Sequence, residues 1–184
     1  MERSATGEFQ TDKMLPMVQT TESPLKQLQA VCGGSSEITF FTICNAAYFP
    51  GLVGLLNSLR LMGHQDRVVV ADCGLAPQQR AILAPHCTLF ELASLSVKNP
   101  TQYKPFPYLL KPQGTVVMID SDMIVTRNLD AVLATAAQGK ICIFPDEEKD
   151  RWFSEWSQIF GLSSSPRRQT YVCAGFVVFS KLRD

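Results

Sequence analysis

Apolar residues from about residue 38 onward form short runs separated by residues that favour turns. Runs of four to eight apolar or β-branched residues are typical of strands, and stretches with apolar residues three or four positions apart are typical of helices. The predicted strands are Ile38–Cys44, Arg67–Ala71, Thr88–Leu92, Thr115–Ile119, Lys140–Phe144 and Tyr171–Phe179. The predicted helices are Pro50–Met62, Pro77–Leu83, Tyr103–Leu110, Asn128–Ala137 and Asp150–Phe160.

Strands and helices therefore alternate, which predicts an α/β domain with a doubly wound, mostly parallel sheet flanked by helices. Residues 1–36 are polar and end in a Gly-Gly-Ser-Ser stretch, which favours a flexible N-terminal tail before a domain spanning residues 37–184. The sequence stops shortly after a predicted strand, with no closing helix. We expect further protein to follow this segment.

Two helices carry specific signals. Asn128 is expected to cap the helix that follows it, because its side chain can accept a free backbone N–H. Trp152, Trp156 and Phe160 are four residues apart and would share one face of a helix. Such an aromatic stripe more often belongs to the core than to a ligand site.

Charge and cysteine usage narrow the class of protein. Seventeen basic and seventeen acidic residues balance, which argues against a broad nucleic-acid or membrane surface. The six cysteines have no CxxC spacing, so a reduced cytoplasmic chain is favoured over a disulfide framework. No apolar run is long enough for a transmembrane segment, and the first residues do not resemble a signal peptide.

The candidate chemistry lies at the end of the apolar run Thr115–Ile119, where Asp120 and Asp122 follow directly. In open α/β sheets, ligands bind at the carboxyl ends of strands. Two carboxylates this close resist ionising together unless a cation lies between them, and hard oxygen ligands suit Mg²⁺ or Mn²⁺. In isolation such a pair more often only begins a turn. Its apolar surroundings on both sides favour a metal site able to hold a diphosphate.

Other common sites find no support in the sequence. No GxGxxG follows the first predicted strand, no GxxxxGK[ST] is present, and no GxSxG motif is found. The chain has only His64 and His86, each of which is expected to lie on the surface or in a loop.

The stretch from Ile38 to Lys181 resembles glycosyltransferases of the GT-A fold, most closely family 8, the glycogenin-like and galactosyltransferase-like enzymes. Four segments carry this resemblance, in the order of the family's motifs. They are Thr42–Tyr48 with Leu55–Arg60, the basic Lys104, Val116–Asp122 with Asn128–Asp130, and Tyr171–Phe179.

The resemblance implies a role for each motif residue. Asp120 and Asp122 would bind Mn²⁺ (or Mg²⁺) bridging the two phosphates of a UDP-sugar, and Ser121 would lie beside the ribose. Asn45 would hold the uracil by a hydrogen bond and Tyr48 by stacking. Core packing on the following helix is an equally good interpretation of Tyr48.

Four further residues are candidates for the site, and three of them also have a structural interpretation. Lys104 would neutralise the diphosphate, or is only a solvated loop lysine. Asp146 would lie near the donor sugar, although capping the helix that starts near Asp150 is the favoured alternative. Cys173 stands where the family has an asparagine, and a thiol is a poor hydrogen-bond partner for a sugar. Asp72 ends the second predicted strand and is expected to be structural rather than a nucleotide contact.

The implied activity is metal-dependent transfer of a hexose from a nucleotide sugar, UDP-linked, to an unknown acceptor (glycan, protein or lipid), with retention of configuration. The sequence identifies no nucleophile. The family's third metal ligand is a histidine from beyond the sixth strand, which neither His64 nor His86 can supply. The acceptor-binding half would also lie beyond residue 184.

Two other functions remain open from the sequence. Val117–Val125 also resembles the first motif of haloacid-dehalogenase-type phosphatases, in which Asp120 would be the nucleophile and Asp122 the general acid/base. That family normally opens with this strand, whereas three strands precede it here. The other possibility is a module that binds a nucleotide sugar without catalysis, or a truncated product.

Overall fold

The structure is a computed structural model, and it describes residues 38–92, 100–109, 114–148, 150–164 and 167–180. The predicted tail at residues 1–36 lies outside these ranges. No helix within them is long and apolar enough to cross a bilayer.

Within these ranges, six strands form one sheet in the order β3-β2-β1-β4-β6-β5. The first four strands in this order run parallel, whereas β6 is antiparallel to both of its neighbours. The predicted α/β class with a mostly parallel sheet is therefore confirmed. The strands are β1 Ile38–Cys44, β2 Arg67–Asp72, β3 Thr88–Glu91, β4 Thr115–Ile119, β5 Cys142–Pro145 and β6 Val172–Phe179.

Helices connect the strands, and the first two agree with prediction to within one residue. The segment predicted as a helix over Tyr103–Leu110 is instead a 3₁₀ turn followed by a single helical turn, in a stretch interrupted by Pro105 and Pro107. The helices are α1 Phe49–Leu61, α2 Pro77–Leu83, α3 Phe106–Leu109, α4 Asp130–Ala137 and α5 Trp156–Ile159, with 3₁₀ turns at Ala46–Tyr48 and Pro100–Tyr103.

The predicted start of α4 is wrong by two residues. Asn128 Oδ1 accepts the Asp130 N–H at 2.7 Å, so its side chain closes a turn ahead of the helix rather than capping it. The strand predicted from Lys140 also begins two residues later, at Cys142.

The helix predicted over Asp150–Phe160 is also wrong for most of its length, since only Trp156–Ile159 is helical. The aromatic side chains do not form a core stripe. Trp152 and Trp156 are half-buried, and Phe160 is 67% exposed. Trp156 packs instead against Trp152 and against Tyr171 from beyond the segment, and these contacts do not require a continuous helix.

Apolar residues alternate between the two faces of the sheet. Val117 belongs to the face covered by α1, whereas Val116 faces a second cluster that contains Tyr103. Tyr103 is only 2% exposed and anchors the 100–109 segment to the sheet. This anchor places the next residue, Lys104, beside the carboxyl ends of β1 and β4.

Candidate functional site

The site lies where the chain reverses its direction of travel across the sheet, with β2 on one side of β1 and β4 on the other. Ligands bind at such switch points because the loops leaving the two strands diverge and open a crevice. A cavity of about 250 Å³ occupies this position. Its lining combines charged, polar and aromatic residues: Ile43, Cys44, Asn45, Tyr48, Thr101, Lys104, Asp120, Ser121 and Asp122.

Asp120 is fixed by both its backbone and its side chain. Its N–H donates to the Gly175 carbonyl at 2.8 Å, and its own carbonyl accepts the Met123 N–H at 3.1 Å, which turns the chain after β4. Lys104 Nζ lies 2.6 Å from Asp120 Oδ1, and Lys104 is only 22% exposed. The interpretation of Lys104 as a solvated loop lysine is therefore wrong.

Gly175 provides space for the Asp120 carboxylate. A Cβ at Gly175 would lie 3.0 Å from Asp120 Oδ2, closer than ordinary van der Waals contact. This glycine belongs to the Tyr171–Phe179 segment of the family resemblance, but the sequence did not show that it borders the acid pair. The structure brings β6 against the end of β4 and so explains why a small residue is needed there.

Asp122 presents an exposed carboxylate to the cavity, and within the described ranges this carboxylate makes no hydrogen bond or ion pair. Its backbone rests on α1, where a Cβ at Gly51 would lie 2.9 Å from Asp122 Cα and 3.0 Å from the Ser121 carbonyl oxygen. Sequence reasoning missed Gly51. Glycine destabilises a helix relative to alanine, so a glycine within a predicted helix can indicate that another backbone comes close to it. This was the signal in the sequence that could have identified Gly51.

The donor chemistry of the acid pair fits a hard divalent cation. Asp120 and Asp122 line the same cavity, and carboxylate oxygens are the ligands that Mg²⁺ and Mn²⁺ prefer. The part of the chain that the structure describes contains no group of three or more His, Cys, Asp or Glu side chains able to hold a metal. Two carboxylates suit a cation that takes its remaining ligands from water and substrate phosphates, as Mg²⁺ commonly does.

Asn45 and Tyr48 form the opposite wall. Asn45 Oδ1 accepts the N–H groups of Ala47 at 3.0 Å and of Tyr48 at 3.2 Å, so this oxygen caps the 3₁₀ turn. The Asn45 side-chain nitrogen is then the group left to meet a ligand. Tyr48 is 53% exposed, which contradicts the alternative of core packing and leaves its ring available for stacking.

Ser121 and Cys44 form the floor of the cavity. They are 6% and 2% exposed, and the Cys44 thiol donates to the Asn45 carbonyl at 3.2 Å. Ser121 therefore lies deeper in the cavity than the two acids that flank it.

Asp146 and Cys173 do not line this cavity. Asp146 Oδ1 accepts the Glu148 N–H at 3.0 Å and lies 3.9 Å from an Arg151 nitrogen. It closes a local turn, and among the described residues the next helix begins only at Trp156, too far along the chain for Asp146 to cap it. Cys173 Sγ accepts the Gly175 N–H at 3.4 Å, which places the thiol close to the Asp120 side without reaching the cavity.

Asp72 and His64 have structural partners. Asp72 is 2% exposed, accepts the N–H groups of Gly74 and Leu75, and lies 2.6 Å from Arg80 Nε. The prediction that it is structural is confirmed. His64 lies in a loop, as predicted, but it is buried, and its Nε2 accepts the Leu129 N–H at 3.0 Å.

The buried thiol of Cys44 and the half-buried thiols of Cys73 and Cys87 give the domain a specific response to alkali. Burial raises the pKa of Cys44 from 9.0 to about 11, and it raises the pKa values of Cys73 and Cys87 to about 11 as well. Unfolded thiols ionise near pH 9, so stability is fully present below that pH and falls as pH rises toward 11. Urea unfolding curves should therefore give a lower free energy of unfolding at about pH 10.5 than at about pH 8.

A variant with alanine at Cys44, Cys73 and Cys87 should show a smaller decrease in the free energy of unfolding between these two pH values. An equal decrease in the variant and the parent chain would contradict the assignment to these thiols.

The fold is that of the GT-A nucleotide-sugar glycosyltransferases, as the strand order and comparison with solved structures show. No family model and no curated protein matches the chain. Among solved structures, the chain is similar to the apo form of WbbM, a bifunctional glycosyltransferase, with a TM-score of 0.58 and 17% identity. It is also similar to the galactosyltransferase LgtC in complex with donor and acceptor sugar analogs, with a TM-score of 0.56 and 16% identity.

These similarities cover most of this chain but only part of each neighbour. The WbbM match covers 80% of this chain and 32% of WbbM, and the LgtC match covers 77% of this chain and 57% of LgtC. At these identities the comparisons establish the fold, and the function has to be argued from the site.

Proposed function

We propose that this chain is the donor-binding part of a metal-dependent glycosyltransferase that uses a UDP-sugar, in line with its resemblance to family 8. The observation that carries the proposal is the convergence of Lys104, Asp120 and Asp122 in one cavity with Asn45 and Tyr48 on the facing wall. This arrangement pairs a charged region suited to a diphosphate with an amide and an exposed aromatic ring suited to a planar base. LgtC, a structural neighbour, is a galactosyltransferase.

The chemistry required of these residues is stabilisation of a leaving group. Breaking the bond between sugar and UDP builds negative charge on the diphosphate, and positive charge fixed at that point lowers the barrier. A divalent cation bound by Asp120 and Asp122 would supply part of that charge. Lys104 supplies another part, and its position beside Asp120 holds it at the site before the donor arrives. Retention of configuration and a contact between Ser121 and the ribose follow from the family resemblance.

Calorimetric titration of UDP, first with Mn²⁺ and then with EDTA, tests the proposal. We expect binding that requires the metal. Absence of binding in both conditions by a cooperatively folded sample would overturn the donor site. Turnover of a generic aryl phosphate would instead favour the phosphatase alternative.

Replacing Lys104 by methionine should change two affinities in opposite directions. UDP binding at saturating Mn²⁺ should weaken at least tenfold, about 1.4 kcal/mol, because the diphosphate loses a cation. Binding of Mn²⁺ alone should tighten, because Asp120 Oδ1 is no longer paired at 2.6 Å with a competing charge. Lys104→Arg keeps the charge and should retain most UDP affinity. Unchanged affinities in Lys104→Met would remove Lys104 from the proposed site.

A further inference from the structure

We propose that the described residues between β5 and β6 form a binding subsite for a sugar, built on Trp152, Trp156 and Tyr171. This inference rests on the proposed function, because a glycosyltransferase needs an acceptor, and the subsite would add to the acceptor-binding half that the resemblance implies beyond residue 184. No residue of this subsite lines the cavity between β1 and β4.

Two adjoining cavities lie in this segment, with volumes of about 230 and 310 Å³. Both are bordered by Arg151, Trp152, Gln169 and Thr170. Asp150 and Arg168 complete the smaller cavity, and Trp156 and Tyr171 border the larger one. The larger volume is at the lower end of the range for small-molecule sites.

The aromatic side chains form a platform rather than a core. The Trp156 and Tyr171 rings are nearly parallel, at 26° with centroids 6.2 Å apart, and Trp152 meets Trp156 edge-on at 5.5 Å. All three rings remain half-buried, so part of their apolar surface stays accessible. A pyranose ring presents a face of C–H groups that can cover such a surface, while its hydroxyl groups point outward.

The polar groups around the platform match those hydroxyl groups. A sugar hydroxyl both donates and accepts hydrogen bonds, and the smaller cavity offers the Asp150 carboxylate, the Arg168 guanidinium, the Gln169 amide and the Thr170 hydroxyl. Arg151 is already paired with Glu148 Oε2 at 2.8 Å, and its guanidinium lies 5.0 Å from the Tyr171 ring centroid. The larger cavity is also bordered by Arg167, so the groups around the platform include acceptors and several donors for the hydroxyl groups of a sugar.

The platform lies at the same edge of the sheet as the acid pair. β5 and β4 are both antiparallel to β6, so Pro145 and Ile119 end at the same edge, and β6 starts there. Tyr171 precedes Gly175, whose carbonyl binds the Asp120 N–H, by four residues along the chain. The separation between Tyr171 and Gly175 is roughly 13 Å in an extended strand, so the platform lies near the acid pair.

Intrinsic fluorescence reports directly on this subsite, because Trp152 and Trp156 are the two tryptophans in the chain. We would titrate the whole chain with glucose, galactose, N-acetylglucosamine, lactose and maltose, in EDTA and without nucleotide. The expected result is a saturable change in fluorescence with at least one of these sugars. Absence of saturable change with every sugar overturns the subsite, and so does a change that follows protein concentration, which would indicate self-association.

Two variants distinguish the platform from a general fold effect. Tyr171→Leu should weaken sugar binding at least tenfold while UDP binding with Mn²⁺ is kept. Phe153→Leu is the matched control, because Phe153 packs on Trp156 at 5.5 Å but borders neither cavity, and its sugar affinity should be unchanged. Equal affinities in the two variants would also overturn the proposal. Because the sugar titration contains no nucleotide or metal, its failure is separate from failure of the donor site.

Discussion

Asp122→Asn is expected to abolish Mn²⁺-dependent binding of UDP while leaving the unfolding transition in place. The loss should exceed tenfold, because an amide oxygen carries no charge for the cation. The fold should not suffer, because the Asp122 carboxylate is exposed and, in the described ranges, makes no hydrogen bond or ion pair. Calorimetry with Mn²⁺ and a urea unfolding curve measure the two effects separately.

Asp120→Asn should also abolish metal-dependent binding, but it additionally removes the partner of Lys104. Comparing the two variants therefore distinguishes the loss of Asp122, whose carboxylate makes no hydrogen bond or ion pair in the described ranges, from the loss of Asp120, which is paired with Lys104. Unchanged UDP affinity in both variants would refute the metal assignment.

Gly51→Ala is expected to displace the acid pair, because Gly51 on α1 lies against the backbone of Ser121 and Asp122. The added Cβ would lie 2.9 Å from Asp122 Cα and 3.0 Å from the Ser121 carbonyl oxygen, and backbone atoms cannot move away as a side chain can. The conflict should cost about 1–3 kcal/mol in stability, as overpacking typically does. UDP affinity should fall at least tenfold, because the acids shift relative to Asn45 and Tyr48.

Gly54→Ala provides the matched control on the same helix. Its Cβ would meet only Ile124 Cδ1 at 2.9 Å, the end of a side chain that is 59% exposed and can rotate away. Both substitutions replace glycine by a better helix former, so propensity alone favours each variant. We expect Gly54→Ala to keep UDP affinity and stability. If Gly51→Ala behaves in the same way, the close approach of α1 has no functional consequence.

The strands of the sheet could be predicted because each corresponds to a short run rich in apolar or β-branched residues in the sequence. The run that forms β4 is the clearest case. The helix over Asp150–Phe160 could not, because aromatic residues four positions apart have the same spacing whether they pack along a helix or against a distant strand. Here Trp156 packs against Trp152 and also against Tyr171, on the far side of the segment. A one-dimensional period cannot distinguish these two arrangements.

The candidate site was predictable where its residues follow a strand directly, as Asp120 and Asn45 do. The close approach of Gly51 to Asp122 and the pairing of Lys104 with Asp120 join residues far apart in the chain. The pattern of residues along the sequence contains no information on the distance between such segments, so only the folded structure could establish these contacts.

The position of β6 between β4 and β5 has a consequence for synthesis on the ribosome. Until Val172–Phe179 is translated, β5 lacks its neighbour in the sheet and the outer edge of β4 stays open. At about 5–20 residues per second, roughly 2 to 7 s separate the end of β5 from the end of β6. During that interval the nascent chain exposes an unpaired, apolar strand edge of the kind that aggregates. Pausing within the β5–β6 segment would therefore prolong a stage at which the edge of β4 is open to aggregation.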